Sequence, residues 1–241
     1  MGALATLAHL PVEPVASIDE AVARMEAIAG LLPVADGLAC FNRMYLIVTR
    51  SIRAQVGAGF FRDPDFMARL DVAFANRYFA AVAAYRVARG RAPRAWRVLL
   101  DSRAEKGLAP LQFALAGMNA HINFDLAAAV TQTCAEHRTA PDKGSHHADY
   151  LKVNETLDAL DTEIRQSFEQ GVLLELDRHF VDLADLAGAF SITAARDAAW
   201  VSAQVLWRLR DDELLAWSYL NSLDRTVGFG GRALLARLPR R

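Results

Sequence analysis

GLAPLQFALAGMNAHINFDLAAAV, residues 107–130, is the stretch on which the reading of this chain turns. No formally charged residue falls between Leu108 and Phe124, and its apolar residues run nearly all round a helix. A helix of that kind is enclosed by other elements instead of lying on a surface. Gln112, Asn119 and Asn123, separated by seven and four residues, share one polar stripe along it. His121 and Asp125, four apart, share another. A neutral polar group buried without a partner costs on the order of 1–3 kcal/mol, and a charge costs more. Both stripes must therefore meet protein partners, water, a metal or a ligand.

Helical patterns extend outward from this segment in both directions. Ser17 and Glu20 fit a capping box at the start of a helix reaching about residue 31. After Pro33 and Gly37, Phe41, Met44, Tyr45, Val48, Ile52 and Val56 fall on one helix face, closed by Gly57 and Gly59. Asp63-Pro64 is a strong start signal, followed by Phe66, Leu70, Phe74, Tyr78 and Val82. Pro93 opens a shorter segment with Trp96 and Leu99, and the central helix runs over 108–136. A loop over 141–145 precedes the stripe Tyr150, Val153, Leu157, Leu160, Ile164 and Phe168. Three more helices are predicted over 193–209, 211–223 (Asp211 as its cap) and 224–238. Strand-like alternation and hairpin turns are missing. The fold expected is an all-α, single-domain multi-helix bundle around a buried central helix, with residues 1–16 an irregular lead-in and 17–241 the helical domain.

At 241 residues and 53% hydrophobic the chain can bury a substantial core. Its net charge of −1 and scattered basic residues argue against nucleic acid as a partner. No window of about 20 residues is apolar enough for a membrane span, and the N-terminus lacks a signal-peptide pattern. Cys40 and Cys134 form no motif and read as reduced structural thiols, so the expected location is cytoplasmic. Residual apolar helix faces leave room for a homodimer.

Four stretches are familiar: AGMNAHINFDL at 116–126, DGLACFNRMYLIVT at 36–49, HHADYLKVN at 146–154 and ARDAAWVSAQVLW at 195–207. In their order along the chain they resemble the pattern of a largely actinobacterial family of unknown function, DUF5995, over nearly the whole chain after Ser17. The resemblance implies no particular activity. It directs attention to Asn119, His121, Asn123 and Asp125, with His147, Asp149, Asn154, Arg196 and Trp200.

Three readings of the central polar residues compete. In the first, His121 is a general acid or base oriented by Asp125, with Asn119 and Asn123 as polar anchors. Tyr45, Tyr78, Trp96, Arg196 and Trp200 then shape an interhelical pocket for a small, mostly apolar ligand. That arrangement suits isomerase, cyclase or lyase chemistry of the kind met in bacterial specialised metabolism. A second reading makes His121, Asp125 and His147 ligands of a divalent metal cofactor. The third is a satisfied polar core, in which the same pocket either holds a lipid or small molecule without chemistry or does not exist. Asp211-Asp212-Glu213 lacks the second acidic motif that a metal-diphosphate site needs, and no nucleophile elbow is present.

Overall fold

Local capping chemistry starts the helices where the sequence places them. The Ser17 hydroxyl accepts the Glu20 amide at 3.1 Å, and Asp63 accepts that of Phe66 at 3.0 Å. The structure is a computed structural model that describes residues 7–172 and 190–237, with the side chains of 161–172 excepted. Ile164 and Phe168 of the sequence reading, and the last residue of the helix predicted over 224–238, lie outside the described side chains.

The helices are α1 (Ile18–Leu31), α2 (Gly37–Gly57), α3 (Pro64–Val87), α4 (Arg94–Ser102) and α5 (Pro110–Ala120). A π-helical turn, His121–Asp125, joins α5 to α6 (Leu126–Glu136). Then follow α7 (His146–Val172), α8 (Ile192–Leu209) and α9 (Glu213–Leu234). Among the described residues there is no strand. The run α5–π–α6 is the expected central helix: every residue from Gln112 to Ile122 is buried, as are Asp125 to Val130. Helices α2, α4 and α9 pack around α5, while α3 and α8 cover α6. Among the described residues no helix is long and apolar enough to cross a membrane.

Two predicted boundaries are corrected. The segments 211–223 and 224–238 form one continuous helix, α9, capped by Asp212 and not Asp211. Asp224 sits inside it, where its carboxylate accepts the Ala95 amide at 2.9 Å. That bond satisfies one of the open amides at the start of α4, whose own cap position is Pro93. The lead-in, for its part, belongs to the core: Leu7, Leu10, Val12 and Val15 are buried. Its backbone is held by side chains of α3. Asn76 bonds both the N–H and C=O of Val15 at 2.8 and 2.9 Å, and Arg86 donates to Leu10 and Ala8 carbonyls.

Gly117 sets how closely α2 approaches the central helix. A Cβ at this position would overlap the Phe41 ring. We therefore expect Gly117→Ala to destabilise the fold by about 1–3 kcal/mol, overpacking outweighing the helix propensity of alanine. Urea unfolding of the variant checks this.

Candidate functional site

The π-helical turn carries the decisive residues HINFD. Its wider turn bonds the Leu126 amide to the His121 carbonyl, five residues back. Turns of this kind are rare interruptions and recur at functional sites. Here both His121 and Asp125 are buried, and Nδ1 of the histidine lies 3.0 Å from Oδ2 of the aspartate. Trp96, from α4, donates its indole N–H to the same Oδ2 at 2.8 Å.

Aromatic rings enclose the imidazole. Phe74 stacks on it at 3.5 Å with an interplanar angle of 3°. Tyr45, Phe41 and Trp96 meet it edge-on at 4.5, 5.6 and 5.8 Å. Burial in this cage pushes the His121 pKa down, and the Asp125 carboxylate offsets part of that effect. The favoured form is then a neutral ring whose Nδ1–H donates to Asp125, leaving Nε2 with a free lone pair. Among the described residues buried Nε2 has no hydrogen-bond partner.

A cavity of about 90 Å³ adjoins this ring. It runs along α2 from Phe41 through Tyr45 to Ile52 and is closed by α3, the central helix, α7 and α8. Its wall is mostly apolar, and its polar side chains are Tyr45, Asp71, His121, Tyr150 and Arg196. The Tyr45 hydroxyl and Asp71 Oδ2 are also buried without a hydrogen-bond partner among the described residues. Desolvation pushes the Asp71 pKa up to about 7. Burial, then the nearby Asp71 charge, holds the Tyr45 hydroxyl well above its ordinary value. Three unsatisfied polar atoms on one cavity wall set this region apart, because buried groups are normally paired.

The DUF5995 family model matches residues 18–237. The chain belongs to the DUF5995 family. Its description is a family of unknown function. No curated protein and no solved structure matches the chain.

In this DUF5995 member the two polar stripes have separate fates. His121 lines the cavity and is bonded to Asp125, whereas Asn119 and Asn123, expected as ligand anchors, do not line it. Asn119 donates to the Val227 carbonyl of α9 at 2.9 Å and accepts from Asn123 at 3.1 Å. Gln112 likewise donates to the carbonyls of Leu234 and Ala236. The amide stripe fastens α9 to the central helix.

The other expected residues also divide. Tyr45 and Arg196 line the cavity. Trp96 acts on it indirectly through Asp125, and the Tyr78 hydroxyl is spent on Asn42 at 3.2 Å. Trp200 stacks on His147 at 4.6 Å, away from the cavity wall. His147 is exposed, so the expected metal set of His121, Asp125 and His147 is not assembled. Among the described residues no three His, Cys, Asp or Glu side chains gather as metal ligands. Its neighbour His146 is the buried one, stacked on Phe66 at 3.9 Å. Asp149 accepts the amides of Arg62 and Asp63, joining α7 to the start of α3. Both cysteines are free and buried, and burial raises their thiols to about 11 at Cys40 and about 12 at Cys134. Buried, protonated thiols of this kind have little thiolate character.

Asp71 is the cavity residue that sequence reasoning passed over. Its signal was a carboxylate on the apolar stripe Met67, Phe74 and Tyr78 of α3. Because its folded pKa lies above the ordinary 3.8, its proton contributes stability below about pH 4 that is lost as pH rises through 7. The stability of Asp71→Asn relative to the parent should thus rise between pH 4 and 8, by up to about 4 kcal/mol at the full shift. Denaturant titrations of both proteins across that range measure the difference, and a flat difference contradicts it.

Proposed function

We propose that this protein is an acid–base enzyme of the isomerase or lyase type, acting on a small, mostly apolar molecule in the cavity beside His121. One observation carries the reading: a desolvated imidazole is anchored through Nδ1, and its Nε2 is unpaired in a buried site next to a cavity. A structural histidine inside a core is expected to have both nitrogens satisfied.

In this reading Nε2 accepts a proton from the substrate, and Asp125 stabilises the imidazolium that forms. Trp96 keeps Asp125 in place, so the pair acts as a positioned base and its positioning residues. The charge left on the substrate meets two further groups of the cavity wall. Asp71 retains a proton near neutral pH and can donate it, and the Tyr45 hydroxyl can donate a hydrogen bond. An acid and a base whose environments move their pKa values in opposite directions can share a proton-transfer cycle at one pH. The aromatic cage excludes water, which strengthens each of these interactions.

The test does not require knowledge of the natural substrate. Small apolar ketones and carboxylic acids are incubated with the protein in D₂O, and deuterium incorporation at carbon is followed by mass spectrometry. The expected result is exchange that falls by about 10²–10⁴-fold in His121→Ala, the usual loss on removing a general base. Circular dichroism establishes that the variant is folded. Exchange equal in the two proteins, or none with any compound, contradicts the reading. A compound retained unchanged in native mass spectrometry would instead point to a binding protein.

A further inference from the structure

Arg196 reaches the cavity from α8 and is buried, which is costly for a residue that keeps its charge. Its contacts are with neutral groups. Nε donates to the Asn154 side-chain oxygen at 2.7 Å and Nη2 to the Tyr150 carbonyl at 2.6 Å. The guanidinium also lies over the Tyr150 ring, 4.2 Å from its centroid. The Tyr150 hydroxyl donates in turn to the Arg196 carbonyl at 2.6 Å. These bonds fix the orientation of the group, and none of the described residues that make them supplies a negative charge. Asp197, next in sequence, is exposed and acts on it through space. Among the described residues no carboxylate forms an ion pair with Arg196.

A guanidinium has five N–H donors in a planar fork. Nε and Nη2 are occupied here, and Nη1 makes no hydrogen bond among the described residues. Among the described residues that line the cavity, Arg196 is the one Lys or Arg side chain. One positive charge in an apolar slot matches one negative charge and favours a monoanion over a phosphate dianion. The carboxylate is the planar monoanion whose geometry suits arginine best. Asp71, the carboxyl among the described lining residues, is disposed by its burial to the neutral form, which does not repel such a group.

We infer that Arg196 anchors the carboxylate of the ligand, so that the cavity takes an apolar carboxylic acid whose hydrocarbon part lies along α2 toward His121. This rests on the acid–base reading for the identity of the reacting end, though not for the anchor itself. Asn154 and Tyr150 are positioning residues for the guanidinium, and the apolar side chains Met44, Val48 and Leu157 contact the chain of the acid.

Isothermal titration calorimetry at pH 6.5 with hexanoate, 1-hexanol and hexanamide tests the anchor, with butyrate and octanoate bracketing chain length. Hexanoate should bind at least about tenfold more tightly than the alcohol or the amide, as expected when a charge-assisted hydrogen bond replaces a neutral one. Arg196→Met should abolish that preference while changing affinity for 1-hexanol by less than about threefold. Arg196→Lys should retain part of it. If Arg196→Met fails to fold, the comparison of acid, alcohol and amide on the parent protein still decides. Equal affinities, or no binding of any of the carboxylates, overturn the inference. Equal affinities together with His121-dependent deuterium exchange would overturn the anchor and leave the acid–base reading standing; acid selectivity without exchange would do the reverse.

Discussion

A single oxygen, Oδ2 of Asp125, receives two N–H groups in the dry centre of the bundle, one from His121 and one from Trp96. The rest of the site follows from this constraint. A carboxylate so deep in an apolar core persists only when its hydrogen bonds are made. Meeting that condition fixes the rotation of the central helix, the position of Trp96 on α4 and the ring plane of His121. With Nδ1 committed, Nε2 is the free atom, and the Phe74, Tyr45 and Phe41 rings decide what it faces. The π-helical turn places both members of the pair at the point where the central helix passes from α5 to α6.

Stability and the proposed chemistry are divided between two faces of one helix. On the first, Gln112 and Asn119 bond to backbone carbonyls at the C-terminal half of α9, a use of side-chain amides that leaves nothing unpaired at those points. On the second, His121 turns toward α2, α3 and the cavity, where polar atoms are left without partners. Of the four buried side-chain atoms without a hydrogen-bond partner among the described residues, three lie on this wall, and the fourth is Nε2 of His137. Concentrations of that kind are the usual mark of a place where a ligand supplies the missing contacts.

Much of this was legible in residue spacing. The enclosed character of 107–130, the two polar stripes and the Ser17 and Asp63 starts follow from periodicity and capping, both local properties. The pairing of His121 with Asp125 needed only the i, i+4 rule. What spacing could not settle was tertiary. Asn119 and His121 look equally available in the sequence, and the packing of α9 against one face alone separates their roles. Asp224 resembled a helix start, because an aspartate that caps a neighbouring helix from outside has the same local signature as one that caps its own. Leu7, Leu10, Val12 and Val15 carry no helical period, and the backbone of Ala8, Leu10 and Val15 is held by side chains of α3, Asn76 and Arg86. The adjacent His146 and His147 differ in exposure because the helix register at the first turn of α7 sends neighbours to opposite sides, the first inward and the second to solvent.

The central claim, a neutral His121 with its proton on Nδ1 and a free lone pair on Nε2, is open to direct observation. Long-range ¹H–¹⁵N correlation spectra of the histidine rings, recorded from pH 8 to 5 and assigned through His121→Gln, report the protonation of each nitrogen. The account predicts a protonated Nδ1 and an unprotonated Nε2 that persist below the ordinary histidine pKa of 6.5. An imidazolium at pH 7, or a neutral ring carrying its proton on Nε2, would contradict it.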